Sequence, residues 1–201
     1  MMKTLMVRTL ALATTLALGA PGGARADESR SRIGGAGKAE DEAARRYFTD
    51  TLLTDQDGVV RRFYTDLIRG RKVLINFGFT TCKGVCPAMA RNLRAVQTKL
   101  GPRASEVTIL TITVDPVNDT PAALKRFAEQ MKAGPGWRFL TGTPERVSLV
   151  LSRLGGKAPR PEEHSAVLLI GDARTGNWVK TSSMDRPEAI VALIEHLNDP
   201  R

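Results

Sequence analysis

Residues Val73-Leu74-Ile75-Asn76-Phe77-Gly78-Phe79 form a nearly unbroken apolar run. So short a run, without the alternation of a half-exposed strand, is the pattern of a strand covered on both faces. A layered fold with helices above and below a sheet offers that environment. Val107 to Val114 repeats the pattern, and Ser165 to Ile170 gives a third apolar strand. Between them the sequence turns helical. Pro87 opens a helix to about Leu100, since a first helical residue has no intrahelical use for an N–H. Asp119 or Thr120 caps a second helix, from Pro121 to about Lys132, and Asp119 is read as a cap and not as a site residue. Thr143-Pro144-Glu145 begins a third that stops before Gly155-Gly156. Arg186 to Asn198 carries Ile190, Leu193, Ile194 and Leu197 at helical spacing. Trp137 to Leu140 is a short strand, and Trp178 to Thr181 pairs with the Ser165 strand across a Gly171–Asn177 turn. At the front, Thr51–Thr54 and Val59–Phe63 flank Asp55-Gln56-Asp57-Gly58, a hairpin signal with Gly58 at the positive-φ position.

The expected fold class is therefore α/β, with a central mostly parallel sheet flanked by helices and an N-terminal β-hairpin. Ligands of such sheets sit beyond the carboxyl ends of the strands, where the loops after Phe79 and Val114 both leave. With 201 residues the chain accommodates one domain with extensions, expected over residues 47–201.

Residues 1–26 read as a secretory leader. Lys3 and Arg8 supply the positive start, Thr9 to Ala20 an apolar stretch too short to span a bilayer, and Ala24-Arg25-Ala26 a cleavage site. Residues 27–46 are polar with three glycines, which predicts a flexible arm. An exported protein on the periplasmic side of a bacterial inner membrane is expected, soluble once the leader is removed, or anchored if it is not. The chain holds 30 basic and 21 acidic residues, and three of the basic ones fall in the leader. What remains is scattered and accompanied by only two Trp, two Tyr and six Phe, so no nucleic-acid surface is expected. The mildly basic surface suits an acidic partner or association with an anionic membrane surface. A monomer is expected.

Cys82 and Cys86 are the whole cysteine inventory. In an oxidising compartment they could form a structural disulfide, but closing so small a loop contributes only about 2 kcal/mol. At the mouth of a helix, with Lys83 in the same loop, the dipole and free N–H groups favour thiolate. The pair is thus suited to redox chemistry or to a metal. Thiolates favour Cu(I) and Zn(II), and an added imidazole accommodates Cu(II). A structural zinc site takes four protein ligands, and the chain has two cysteines and two histidines. His196 reads as a helix-end residue. His164 stands immediately before the Ser165 strand, which should lie near the cysteine loop. Met184, in Ser-Ser-Met-Asp, reads as a surface residue.

Three motifs now stand in order: Phe77-Gly78-Phe79-Thr80-Thr81-Cys82-x-x-x-Cys86-Pro87, Val114-Asp115-Pro116-x-x-Asp119-Thr120-Pro121, and His164-Ser165 entering a strand. Together they resemble the Sco/SenC family of copper chaperones over about residues 48–197. The resemblance implies a thioredoxin-like fold with an added N-terminal hairpin. It implies that Cys82, Cys86 and His164 bind one copper ion, as Cu(I), Cu(II) or both. It implies a copper-receiving partner, a cytochrome c oxidase subunit, whose dinuclear copper site is supplied with metal or kept as thiols. Asp115 matches the family's aspartate at a strand end, either orienting a ligand or acting as a turn residue before Pro116. Lys83 and Gly84 stand where members often carry proline and a residue such as aspartate; a lysine there disfavours a bound cation while favouring thiolate.

The alternative is a periplasmic thiol–disulfide oxidoreductase in which Cys82 attacks and Cys86 resolves. Against it, Cys-x-x-x-Cys is not the thioredoxin spacing, and His164-Ser165 occupies the strand entry where thioredoxins keep a cis-proline. A peroxidase resembling peroxiredoxins is weaker still, because Thr80-Thr81-Cys82 does not meet their Thr-x-x-Cys signature.

Overall fold

The computed structural model describes residues 38–197, so the expected leader and the first part of the polar arm lie outside the described residues. The chain divides into two compact units, Met1–Glu40 and Asp41–Arg201, and every described strand lies in the second. In chain order the elements are α1 (residues 38–48), β1 (Leu52–Asp55), β2 (Val60–Arg62), α2 (Phe63–Leu67), β3 (Lys72–Gly78) and α3 (Cys86–Leu100). β4 (Val107–Thr113), α4 (Pro121–Gln130), β5 (Trp137–Thr141), α5 (Pro144–Leu154), β6 (Val167–Asp172), β7 (Asn177–Ser182) and α6 (Pro187–His196) follow.

The arm expected to run to residue 46 thus gives way to helix at residue 38. Few apolar residues are needed to hold α1 down. Ala44 packs against the core, Phe48 stacks on the Tyr64 ring at 6.1 Å, and Asp41 accepts the Tyr64 hydroxyl at 2.7 Å. Phe63, expected to end the hairpin strand, instead begins α2 and is fully buried there.

The seven strands form one sheet in the order β2-β1-β5-β4-β3-β6-β7. Only β3–β4 and β4–β5 pair in parallel, and the other four pairings are antiparallel, so the expectation of a mostly parallel sheet is corrected. Helical crossovers through α3 and α4 carry the chain back for the parallel pairs. The tight turns of β1–β2 and β6–β7 can join antiparallel neighbours only.

Every residue of β3 is buried. Its alternate side chains feed two cores: Leu74 joins α3, α4 and α6 on one face, while Val73, Ile75 and Phe77 join α2 and α5 on the other. β4 divides likewise, Ile109 to the first face and Leu110 and Ile112 to the second. Each such side chain stabilises by roughly 1.5–3 kcal/mol, and that two-sided anchoring makes β3 a rigid base for the loop that leaves it.

Candidate metal centre

Gly78 at the end of β3 lies opposite Thr113 at the end of β4, and antiparallel β6 places Leu168 opposite Asn76. The exits of β3 and β4 and the entry to β6 therefore share one end of the sheet. Val114 N–H donates to the Gly78 carbonyl at 3.0 Å and ties the first two together.

Cys82 lies in the loop after β3, its N–H directed at the Phe79 carbonyl at 3.4 Å. Cys86 is the first residue of α3, with Pro87 behind it. Both cysteines are free; Cys86 is buried and Cys82 half-buried. His164 is buried at the entry to β6, its Nε2 3.1 Å from Cys86 Sγ although 78 residues separate them. The ligand atoms of Cys82, Cys86 and His164 all lie within 4.8 Å of one another. The structure brings together all three expected residues.

The histidine's tautomer follows from its partners. Nδ1 lies 3.2 Å from the Ser165 carbonyl, which can only accept, so Nδ1 carries the proton. Nε2 then presents its lone pair to the Cys86 thiol. A carbonyl behind the ring is the arrangement that orients metal-ligating imidazoles. The Phe79 ring meets His164 edge-on, with centroids 5.8 Å apart, and limits its rotation. Burial holds the His164 pKa below its usual 6.5, so at neutral pH the ring is uncharged and able to donate electrons.

The thiol electrostatics differ from the expectation. The Cys86 pKa is pushed up to about 12, chiefly by burial and secondly by the neighbouring Cys82 thiol, while the Phe79 N–H pulls it down. Phe77, Met89, Leu124, Phe127 and Phe139 line the apolar space beneath it. Desolvation outweighs the helix mouth there, so Cys86 is a protonated thiol at neutral pH. Metal binding displaces that proton. Two sulfurs and one neutral imidazole make a soft donor set that fits copper.

The side-chain hydrogen bonds of Asp115 run within its own turn. Its carboxylate accepts from Asn118 Nδ2 at 2.8 Å, and its N–H donates to Thr113 Oγ1 at 2.9 Å, as a turn residue does. The carboxylate that reaches the cysteine loop is Asp119, which is fully buried. It accepts from Thr80 N–H at 3.1 and 3.2 Å, from Thr80 Oγ1 at 2.5 Å and from Thr113 Oγ1 at 2.6 Å. Asp119 is thus no helix cap; Thr120 caps α4 by accepting from Ala123 N–H at 3.2 Å. By holding Thr80, Asp119 fixes its neighbour Phe79, whose N–H meets Cys86, whose carbonyl meets Cys82 and whose ring meets His164. The sequence signal for this latch is a pair of threonines, Thr80 and Thr113, at the ends of adjacent buried strands. Such hydroxyls require a polar partner.

A family model described as SCO1/SenC matches residues 39–197. The chain belongs to the SCO1/SenC family. Among its SCO1/SenC relatives is an SCO2-like protein of Rickettsia conorii, 30% identical over 146 residues, covering 68% of this chain and 69% of the relative. The mitochondrial SCO2 homologue of Bos taurus is 37% identical over 153 residues, 72% of this chain and 54% of the bovine one. Among solved structures, copper-bound ScoI of Bradyrhizobium japonicum superposes with a TM-score of 0.60 at 29% identity, over 73% of this chain and 96% of that one. A SCO1/SenC family lipoprotein of Bacillus anthracis gives a TM-score of 0.65 at 25% identity, over 74% and 93% of the two chains. The fold of this SCO1/SenC protein is thioredoxin-like, as the motifs imply. Among the described residues no helix is long and apolar enough to cross a membrane.

Proposed function

We propose that this SCO1/SenC protein binds one copper ion through Cys82 Sγ, Cys86 Sγ and His164 Nε2 and passes it to an acceptor cuproprotein, a cytochrome c oxidase subunit. The observation that carries the reading is the convergence of three soft donors within 4.8 Å, with the imidazole lone pair already turned toward Cys86. Copper is here the cargo. A metal held by three protein donors keeps an open position through which an acceptor's ligand can enter. The copper-bound Bradyrhizobium relative supports this, as does a Stutzerimonas stutzeri relative described as a putative copper-binding protein, 33% identical over 104 residues. Asp119 and Phe79 position the donors, the buried apolar floor excludes water, and the Ser165 carbonyl holds the Nδ1 proton.

Delivery takes place outside the cytoplasm in this reading, from a domain of residues 47–201 that the end of α1 enters, with the leader at residues 1–26 and the Bacillus anthracis lipoprotein relative in support. The decisive experiment is an anaerobic titration of the reduced full chain with Cu(I) and with Cu(II). Uptake of one equivalent is expected, weakened in both states by His164→Ala. Binding of both ions by that variant as tightly as by the wild type would remove His164 from the ligand set.

A second reading rests on one observation, the closeness of the two free thiols, whose sulfurs lie within 4.8 Å of each other. The pair could be oxidised to a disulfide while an acceptor's copper-site disulfide is reduced to two thiols, Cys82 attacking and Cys86 resolving. If the reduced protein leaves that acceptor disulfide intact, the copper reading stands alone.

A further inference from the structure

At the opposite end of the sheet, where the three parallel strands begin, Arg61, Arg71 and Arg138 line one pocket of about 140 Å³ together with Asp66, Leu67, Thr108 and Gly136. The arginines come from β2, from the turn before β3, and from β5, so the fold and not a local sequence run brings them together. The space holds about four or five waters at roughly 30 Å³ each, ample room for a tetrahedral oxyanion with some of its hydration.

The carboxylates around the pocket are already matched. Asp55, fully buried, accepts from Arg61 Nε at 3.0 Å, and Arg138 Nη1 lies 3.7 Å from the same oxygen. Asp57 is shared by Arg138 at 3.1 Å and Lys125 at 3.3 Å. Asp66 accepts from the Arg62 N–H at 2.7 Å and pairs with its guanidinium at 3.1 Å. Arg71 makes no ion pair among the described residues, and Arg61 engages Asp55 through Nε alone, leaving its two Nη groups for a ligand. Five cations thus face three carboxylates within this group. Asp55 also accepts from the Asp57 and Val59 N–H groups, so the anchor that orients Arg61 is itself fixed. Guanidinium groups held in place around a small cavity are the arrangement that reads the flat, forked faces of a tetrahedral oxyanion.

We propose that this pocket binds a phosphate group, at the pole of the molecule remote from the metal ligands. The surplus of two positive charges sits at a concave pocket, which favours a phosphate entering it over a flat anionic surface lying across it. Free phosphate and a phospholipid headgroup share this chemistry and differ only in their source.

The test is a titration of the reduced, ¹⁵N-labelled full chain with inorganic phosphate at constant ionic strength, following the arginine Nε–H resonances. Saturable shifts confined to Arg61, Arg71 and Arg138 are expected. Arg71→Gln, which breaks no ion pair, should raise the half-saturating concentration at least tenfold, and Arg91→Gln on the exposed face of α3 should leave it unchanged. Phosphatidylglycerol vesicles added to the phosphate-loaded protein assign the source: displacement of phosphate marks the headgroup as the ligand, and its retention marks free phosphate. Shifts that rise linearly across all surface arginines, or an unchanged midpoint in Arg71→Gln, overturn the proposal.

Discussion

Replacing Asp119 by alanine tests whether the latch beside the metal centre holds the cysteine loop. The side chain accepts three donors: the Thr80 N–H, the Thr80 hydroxyl and the Thr113 hydroxyl. A buried donor left without an acceptor costs about 1–3 kcal/mol. Thr80 is half-buried and can recover water for its hydroxyl, whereas Thr113 is only 1% exposed and cannot. The expected loss for Asp119→Ala is therefore about 3 kcal/mol. Asp119→Asn keeps the volume and one oxygen for the Thr80 N–H, and its loss should be about 1 kcal/mol. Urea unfolding of the metal-free chain measures both as shifts of the midpoint at unchanged slope. Competition against a copper chelator reads the site itself, and Asp119→Asn should release copper severalfold faster than the wild type, because Thr80, and with it Phe79, keeps only part of its anchor. A loss under about 0.5 kcal/mol in Asp119→Ala, within the range of an ordinary surface change, would refute the latch. Destabilisation without any change in copper release would confine Asp119 to folding.

Iodoacetamide should label Cys86 more slowly than Cys82 at neutral pH, and the Cys86 rate should climb about tenfold per pH unit up to its pKa near 12; peptide mapping after Cys82→Ser should show Cys86 reacting faster, since a neighbour that raises its pKa is gone. Because burial lowers the His164 pKa, the unfolded chain binds a proton that the folded chain refuses, so metal-free stability should fall as pH drops below about 6.5. The slope should approach about 1.4 kcal/mol per pH unit, end once pH passes the folded-state pKa, and vanish in His164→Gln. In Gly171→Ala the new Cβ would lie 2.1 Å from the Trp178 ring across the β6–β7 pair, which should cost about 1–3 kcal/mol and shift the tryptophan fluorescence.

The buried strands and the cysteine loop were legible because apolar runs and a Pro87 helix start are local signals. Strand direction was not. An apolar run records that both faces are covered but not which way the chain travels, and β6 became antiparallel to β3 through a connection that its own residues do not encode. His164 was found by topology and by motif, since its neighbours Glu163 and Ser165 give no hint of burial. Asp115 and Asp119 sit in the same short motif, and only the fold shows that the second faces Thr80 while the first faces Asn118. Asp119 precedes Thr120 and a proline helix start, so by local pattern it is a cap. The thiol expectation failed on magnitude. The helix mouth lowers a cysteine pKa, but the apolar floor under Cys86 raises it further, and that floor is assembled from β3, α3, α4 and β5, which no local stretch of sequence contains.

The donors at the metal centre come from two stretches of chain, a cysteine pair four residues apart and a histidine 78 residues beyond the second of them. A short peptide carrying both cysteines keeps two sulfurs when the protein unfolds, but the imidazole joins them only while β6 lies beside β3. Denticity is therefore a gauge of tertiary structure. An ion held by all three acts as a clasp across the sheet, favouring the native chain by mass action in proportion to how much more tightly three donors hold it than two. In the proposed transfer, handing the ion over would remove the clasp, so the donor would become less stable at that moment and the emptied form would be set apart from the loaded one by its lower resistance to unfolding.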